Sequence, residues 1–406
     1  MKVLQINPYF NYGSTGKIEK DITDYLTESG AETYIAYAWE TDFAKDAATS
    51  FFKYSTYIER CICALVTRIT GNRYGYAFFS TQKLKNYIKN INPDIVHIHC
   101  INGYDVNIYS LFNFLKKNRY KTVITEHAEF FHTGNCAYAF ECDRWIDGCH
   151  NCPRLYYAVK SKAFDSTKRN WNRLKKAFDG FLTATMVPVS DWLGERTKAS
   201  EITKNLRIRT ILNGINTDCF RRYDSEEISD EIKCSFTKKT ILFITSSFYS
   251  EVKGGKYILQ LAELLPQYNF IIICSGDIDC KGLKNVKHIS FIENRSDLAK
   301  YYSLADLTLL ASKKETFSMP VAESLCCGTP VVGFSAGGPE SIAIPEYSDF
   351  VEYGNIRLLE EAIEKRINTV ADKEKIAEIA KEKYSSRVMA RNYFNLYMEL
   401  IENGWN

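Results

Sequence analysis

No stretch of this 406-residue sequence is apolar for anything near the ~20 residues a bilayer-crossing helix needs. Apolar runs such as Ile241–Ile244 and Phe270–Cys274 are short. The opening Met1–Pro8 lacks the apolar core and small-residue cleavage site of a signal peptide. Neither charge sign is in excess, since 52 Lys+Arg against 49 Asp+Glu leave +3. The electrostatic footprint of a nucleic-acid binder is therefore missing. There is no short internal repeat and no low-complexity tract, and 45% apolar with 25% charged residues is ordinary for a globular chain. These absences exclude disorder, collagen and coiled coil for the whole chain. They point to a cytoplasmic protein whose 13 cysteines stay reduced unless metal or catalysis claims them. The length exceeds one hydrophobic core and suits two or three domains.

What is present alternates. Val3–Ile6 reads as a strand, followed by the loop Gly13-Ser14-Thr15-Gly16-Lys17 and by Ile18–Ser29, apolar at 18, 22, 25 and 26 as in an amphipathic helix. Ala31–Tyr37, Ile95–His99, Lys121–Thr125, Met186–Val189 and Leu206–Leu212 continue as strands. Residues 221–239 are charge-dense and polar, a linker. The pattern then restarts with strands at Thr240–Thr245, Phe270–Cys274, Leu307–Ala311 and Val331–Phe334, and with helices from Gly254-Gly255 to about Leu265 and at Val321–Cys327. Two alternating halves predict two doubly wound, parallel-sheet α/β domains, with ligands at the carboxyl ends of the strands.

The sharpest constellation runs from Ala305 to Glu323. Glu315 and Glu323 are separated by seven residues, and Pro320 between them forbids one continuous helix while fitting the first turn of a new one. Glu315 is thus expected on a loop leaving a strand and Glu323 in the following helix. The amides of Phe317, Ser318 and Met319 would form an anion site suited to a pyrophosphate. The carboxylates beside it would accept hydrogen bonds from sugar or ribose hydroxyls. An acidic loop with a solvated helix glutamate is the ordinary alternative. Lys253, before Gly254-Gly255, stands at a helix entrance where a cation neutralises phosphate; a solvated surface lysine is the other reading.

Gly13–Ile18, Val187–Trp192, Ile211–Phe220, Lys253-Gly254, Glu315–Pro330 and Gly337–Glu340 occur in the order seen in retaining glycosyltransferases of family 4, which the chain resembles over nearly its whole length. The resemblance implies a GT-B fold of two Rossmann-like domains facing a cleft. The first domain would be 1–215 with a Cys-rich insert at 132–153. A linker at 216–239 would lead to a nucleotide-sugar-binding domain at 240–383, and a helix at 384–406 would pack back on the first domain. It implies a UDP- or GDP-sugar donor. Glu323 would meet the ribose, Glu315 the donor sugar, Lys253 and the Phe317–Met319 amides the phosphates, and the loop at Ile292 the base. Gly16 would give close backbone approach, and His127 would lie beside the donor sugar; a structural histidine is the plain alternative for the last. It further implies a glycan or lipid-linked glycan acceptor in cell-surface polysaccharide synthesis, same-face attack and no carboxylate nucleophile. Two positions depart from the family pattern. Phe248 stands where an arginine is usual five residues before the lysine, and Ser318 where a glycine is usual.

Cys136, Cys142, Cys149 and Cys152 form C-x5-C-x6-C-x2-C. The spacing points to a structural zinc, with His132 or His150 able to replace one sulfur; unligated thiols, a disulfide or an iron–sulfur cluster are the alternatives. A subset of bacterial enzymes similar to exopolysaccharide-making family members carries such an insert. No catalytic metal is expected: Asp277-Ile278-Asp279 reads as a solvated loop, and Gly13–Ile18 fails as a P-loop at Asn11 and Ile18. Residues 51–79 mix aromatics with Lys53, Arg60, Arg68 and Arg73, which suits either a core or an anionic membrane surface, here the inner face of the plasma membrane. Two competing functions are a nucleotide-sugar 2-epimerase of the same fold and a non-catalytic, zinc-containing nucleotide-binding protein. A nucleic-acid partner is not expected.

Overall fold

The computed structural model describes residues 1–40, 49–236, 238–280 and 282–402. The chain divides into two compact units, one formed by Met1–Asn213 with Met389–Asn406 and the other by Gly214–Val388.

The first unit is built on β1 (Lys2–Asn7), β2 (Glu32–Tyr37), β3 (Thr49–Lys53), β4 (Ile95–Ile98), β5 (Thr122–Glu126), β6 (Ala184–Pro188) and β7 (Arg207–Ile208). They form one sheet in the order β3-β2-β1-β4-β5-β6-β7, with parallel pairing throughout. Strands β4, β5 and β6 are buried at every position, as a parallel sheet covered by helices on both faces requires. Successive residues serve opposite layers. Leu4, Val96, Ile124 and Met186 pack on one side with Phe112, Phe131 and Phe178. Val3, Ile95, Val123 and Val187 pack on the other. There they meet Ile18, Ile22 and Leu26 of the helix Gly13–Glu28, and Tyr393, Leu396, Tyr397 and Leu400 of the helix Ser386–Glu402.

The second unit repeats the scheme with β8 (Thr240–Thr245), β9 (Asn269–Cys274), β10 (Val286–Ser290), β11 (Leu307–Leu310), β12 (Val331–Phe334) and β13 (Ser348–Val351), ordered β10-β9-β8-β11-β12-β13. In both sheets the winding direction reverses once, between β1 and β4 and between β8 and β11. That reversal opens a crevice at the carboxyl ends of the flanking strands.

The elements differ from the sequence expectation mainly at sheet edges. Strands β3, β10 and β13, absent from the expected set, are all edge strands, and β10 and β13 carry few fully buried residues. The expected strand Leu206–Leu212 contracts to β7, although the amides of Arg209 and Ile211 still donate to the carbonyls of Met186 and Pro188. The helix expected from Ile18 begins at Gly13, so the glycine loop forms its first turn. The polar segment 221–239 holds a short 3-10 turn, Ser225–Glu227, and one helical turn, Asp230–Lys233.

Candidate active site

At the reversal point of the second unit, the loops leaving β8 and β11 are pressed together by glycine. Gly254 has φ +71°, and a Cβ there would lie 2.1 Å from the carbonyl oxygen of Ala311. The amide of Lys313 donates to the carbonyl of Val252 at 2.7 Å. This contact brings Lys253 Nζ to 2.6 Å from Glu315 Oε1. Glu315 is fixed from its other side, since its amide donates to the Ala336 carbonyl and its carbonyl accepts from the Gly338 amide. A Cβ on Gly338 would sit 2.3 Å from the Thr316 carbonyl. The Gly337-Gly338 pair thus exists to let its backbone lie against the glutamate loop.

The helix Met319–Cys326 opens directly after this loop, with Pro320 in its first turn. Ser318, which caps it, has φ +82°, in the left-handed region that favours glycine. The hydroxyl is buried without a hydrogen-bond partner. The amides of Phe317, Ser318 and Met319 lead into the positive end of the helix. Farther along, Glu323 accepts from Tyr302 Oη at 3.2 Å and faces Arg295 at 3.7 Å. Burial, with Glu323 alongside, holds the Tyr302 hydroxyl well above its ordinary pKa, so it remains a donor. Arg295 begins the helix Arg295–Leu304, capped by Asn294, and so ties the Ile292 loop to Glu323. Lys253 and Glu315 are thus in contact, Phe317–Met319 lead from that loop into the helix, and Glu323 follows on the same helix. Arg295 and Tyr302 join them without any sequence signal beyond the Asn294 cap.

Phe248, in the place of the family's arginine, is buried and packs on Phe243 and Tyr249. Its ring lies so near Gly255 that a Cβ there would come within 2.8 Å of Cδ2. The position faces the core of the unit.

In the first unit, Gly16 and His127 lie at the carboxyl-end side of β1 and β5. A Cβ on Gly16 would be 2.7 Å from the Tyr9 carbonyl, and the Asn11 amide donates to the Gly16 carbonyl. Its own loop therefore already demands glycine. His127 Nε2 lies 3.2 Å from Nδ1 of buried His99, whose Nε2 is 3.0 Å from Gln5 Oε1. Gln5 Nε2 donates to the Glu19 carbonyl and to Thr23 Oγ1. A carbonyl only accepts, so the chain fixes every proton: His99 donates from Nε2, and His127 donates from Nε2 to His99 Nδ1. Burial lowers the pKa of His127 to about 3, so its ring is neutral.

The four cysteines are all free and line one small cavity of about 20 Å³. Among the described residues, no group of three or more His, Cys, Asp or Glu side chains is placed to hold a metal ion. The structural zinc expected from the cysteine spacing therefore finds no support in the structure, although the four cysteines share one neighbourhood. Cys149 Sγ donates instead to the Thr133 carbonyl at 3.7 Å, and burial pushes its pKa up to about 12. His132 is engaged elsewhere, between Glu126 at 2.9 Å and Glu129 at 3.6 Å. Burial opposes its proton, but the two carboxylates prevail and hold its pKa above the ordinary value.

A family model described as Glycosyltransferase Family 4 matches residues 20–219, and one described as Glycosyl transferases group 1 matches 225–383. The chain belongs to glycosyltransferase family 4. N-acetyl-alpha-D-glucosaminyl L-malate synthase of Bacillus anthracis is 24% identical over 224 residues, 50% of this chain and 57% of that protein. An uncharacterized 41.2 kDa protein in the cps region of Klebsiella pneumoniae is 22% identical over 75% of this chain and 78% of its own length. The chain thus spans little more than half the length of the first of these relatives. Its fold is that of sucrose-phosphate synthase from Thermosynechococcus elongatus, with a TM-score of 0.67 at 15% identity over 99% of this chain and 100% of the other. It is also that of Anabaena HepE in complex with UDP-glucose, with a TM-score of 0.63 at 15% identity over 98% and 100%. The GT-B architecture expected from the sequence is the one observed. Among the described residues, no helix is long and apolar enough to cross a membrane.

Proposed function

We propose that this glycosyltransferase moves a sugar from a nucleotide-sugar, UDP- or GDP-linked, to a glycan or lipid-linked glycan, with retention at the anomeric carbon. Its setting would be the synthesis of a cell-surface polysaccharide at the cytoplasmic side of the membrane. The observation that carries this reading is the convergence of Lys253, Glu315 and the Phe317–Met319 helix entrance at the reversal point of the second sheet. A diphosphate fits there because the lysine and the helix entrance both favour negative charge. Glu323, held by Tyr302 and Arg295, is suited to accept from the ribose hydroxyls. As the C1–O bond to the phosphate breaks, its electron pair passes to the phosphate oxygen. Lys253 and the oriented amides stabilise that charge more than they do the bound donor, which lowers the barrier. The acceptor oxygen bonds to C1 on the same face, and its proton passes to the departing phosphate.

The Klebsiella relative from a cps region and the UDP-glucose complex of HepE support the polysaccharide setting and the donor class. The test is a melting-temperature screen against UDP, GDP, ADP, CMP and their sugars. A ligand at 100 times its dissociation constant adds about 2.7 kcal/mol of stability. One nucleoside diphosphate and its sugars should stabilise the protein, and Glu323→Ala should remove the effect. No response to any nucleotide would refute the donor assignment. Release of free nucleotide without an acceptor would instead mark a 2-epimerase.

A further inference from the structure

The helix Tyr57–Thr70 is turned inside out relative to a surface helix of a globular protein. Its buried positions are Arg60, Cys63 and Thr67, a largely polar face. Arg60 donates to the Ala38 carbonyl and lies over the Trp39 ring, and Cys63 Sγ accepts from the Ala77 amide. Its outer face carries Ile58, Ile62, Leu65 and Ile69, at helical spacing and each more than half exposed. Phe78 and Phe79, 62% and 84% exposed, extend this stripe from the start of the next helix, Phe78–Ile91. Glu59 accepts from the amides of Phe79 and Ser80, so the two phenylalanines are tied to the first helix. Between them runs an apolar groove of about 600 Å³. Soluble monomers rarely leave so continuous an apolar surface uncovered.

The rim of this face is cationic. Arg68 is exposed on the same helix. The segment carrying Lys160 and Lys162 packs against the helix end, where Ser161 and Ser166 donate to the carbonyls of Ile69 and Thr70. Both lysines lie within 6 Å of the half-exposed Tyr156 ring, and exposed Phe164 follows them. The nearby carboxylates are engaged in structure, Glu59 as above and Asp165 with the amides of Cys152 and Thr167. An aliphatic stripe edged by aromatics and cations matches a helix lying in the interfacial plane of an anionic bilayer. A two-fold contact with a second copy would set the same cations against one another.

We propose that this face docks the protein on an anionic phospholipid membrane. The Ile58–Ile69 stripe with Phe78 and Phe79 enters the boundary between headgroups and acyl chains, and Arg68, Lys160 and Lys162 meet the lipid phosphates. This inference is independent of the donor-site reading.

The test is flotation of the full chain with phosphatidylcholine vesicles, with and without 25 mol% phosphatidylglycerol (roughly the anionic share that makes a surface attractive to cations), at low and high salt. The protein should float with the anionic vesicles and release at high salt. Ile62→Ser with Leu65→Ser should weaken binding on the order of tenfold or more. Lys160→Gln with Lys162→Gln should weaken it by about fivefold per charge. Ile62, Leu65 and Lys162 are exposed and Lys160 is half-buried without an ion-pair partner among the described residues, so both variants should keep the wild-type melting temperature and nucleotide response. Three results would overturn the proposal: no flotation on anionic vesicles, a serine variant that floats like wild type, or a dimer that the serine variant dissolves without any vesicle binding. A nucleotide response that survives such a failure leaves the donor site standing.

Discussion

Lys253 and Glu315 meet at 2.6 Å in a site partly open to water, so the pair itself adds at most about 1 kcal/mol to stability. Its importance lies in what it does to the lysine: a diphosphate must share that cation with a carboxylate. Glu315→Ala should therefore leave affinity for the bare nucleoside diphosphate unchanged or tighter while turnover falls. Lys253→Ala and Glu323→Ala should each weaken donor binding by about 10- to 100-fold, the scale of one charge-assisted hydrogen bond. His127→Ala should lower turnover and leave nucleotide binding alone. Titration calorimetry and initial rates separate these outcomes, and four unchanged variants would refute the site. Ser318 offers a different check. A serine at φ +82° with an unpartnered buried hydroxyl stores strain. Ser318→Gly should raise stability by about 1 kcal/mol, seen as a higher melting temperature with donor binding retained.

At the scale of elements, the loop after β8 shows how one buried side chain redirects a site. Phe248 belongs to the core of the second unit. Phe248→Arg should therefore not restore a phosphate contact. It should cost about 3 kcal/mol or more by burying an unpaired charge, with loss of the cooperative melt as the readout and tighter donor binding as the contrary result. The same contrast between centre and edge explains what was legible in the sequence. Strands β8 and β12 could be read to the residue because continuous apolar runs mark strands covered on both faces. The edge strands β3, β10 and β13 carry no such signal. Within the site, Lys253, Glu315 and Glu323 were legible through the glycines and proline around them. Arg295 and Tyr302 were not, because they arrive from another helix by packing. Cysteine spacing foretold that four thiols would share a neighbourhood, but spacing alone does not set the geometry a metal ion needs. Phe248 was legible as a departure and not as a core residue, since its burial depends on Gly255 lying beneath it.

At the scale of the molecule, the first unit concentrates buried titratable groups, and they set its response to acid. Burial holds His97, His99 and His127 below the ordinary histidine pKa, the first two well below it. Below about pH 6.5, where free histidine takes up its proton, the unfolded chain binds three protons that the native unit refuses. Buried Glu19 and Asp105, held above the ordinary carboxyl range, act in the opposite sense and offset at most two. The unfolded histidines are only half charged at pH 6.5 and almost fully charged by pH 5, so the net uptake reaches about one proton near pH 5, where stability should fall by about 1.4 kcal/mol per pH unit. Above pH 6.5 the raised His132 reverses the trend, its contribution fading as pH climbs through its folded value. Melting curves between pH 5 and 8 should peak near neutrality, and a flat or rising profile toward acid would contradict the burial of these rings. The helix Ser386–Glu402 anchors this same region, with Tyr397 bonded to His97 and Tyr393 to Thr125. It completes a layer whose other half is made of β1, β4, β5 and the helix Gly13–Glu28. During synthesis, the ribosome therefore delivers every residue of the second unit before the first can finish its hydrophobic layer. Order of translation and order of folding are inverted, and until Leu400 emerges the nascent amino-terminal half must wait with part of one side of its sheet uncovered.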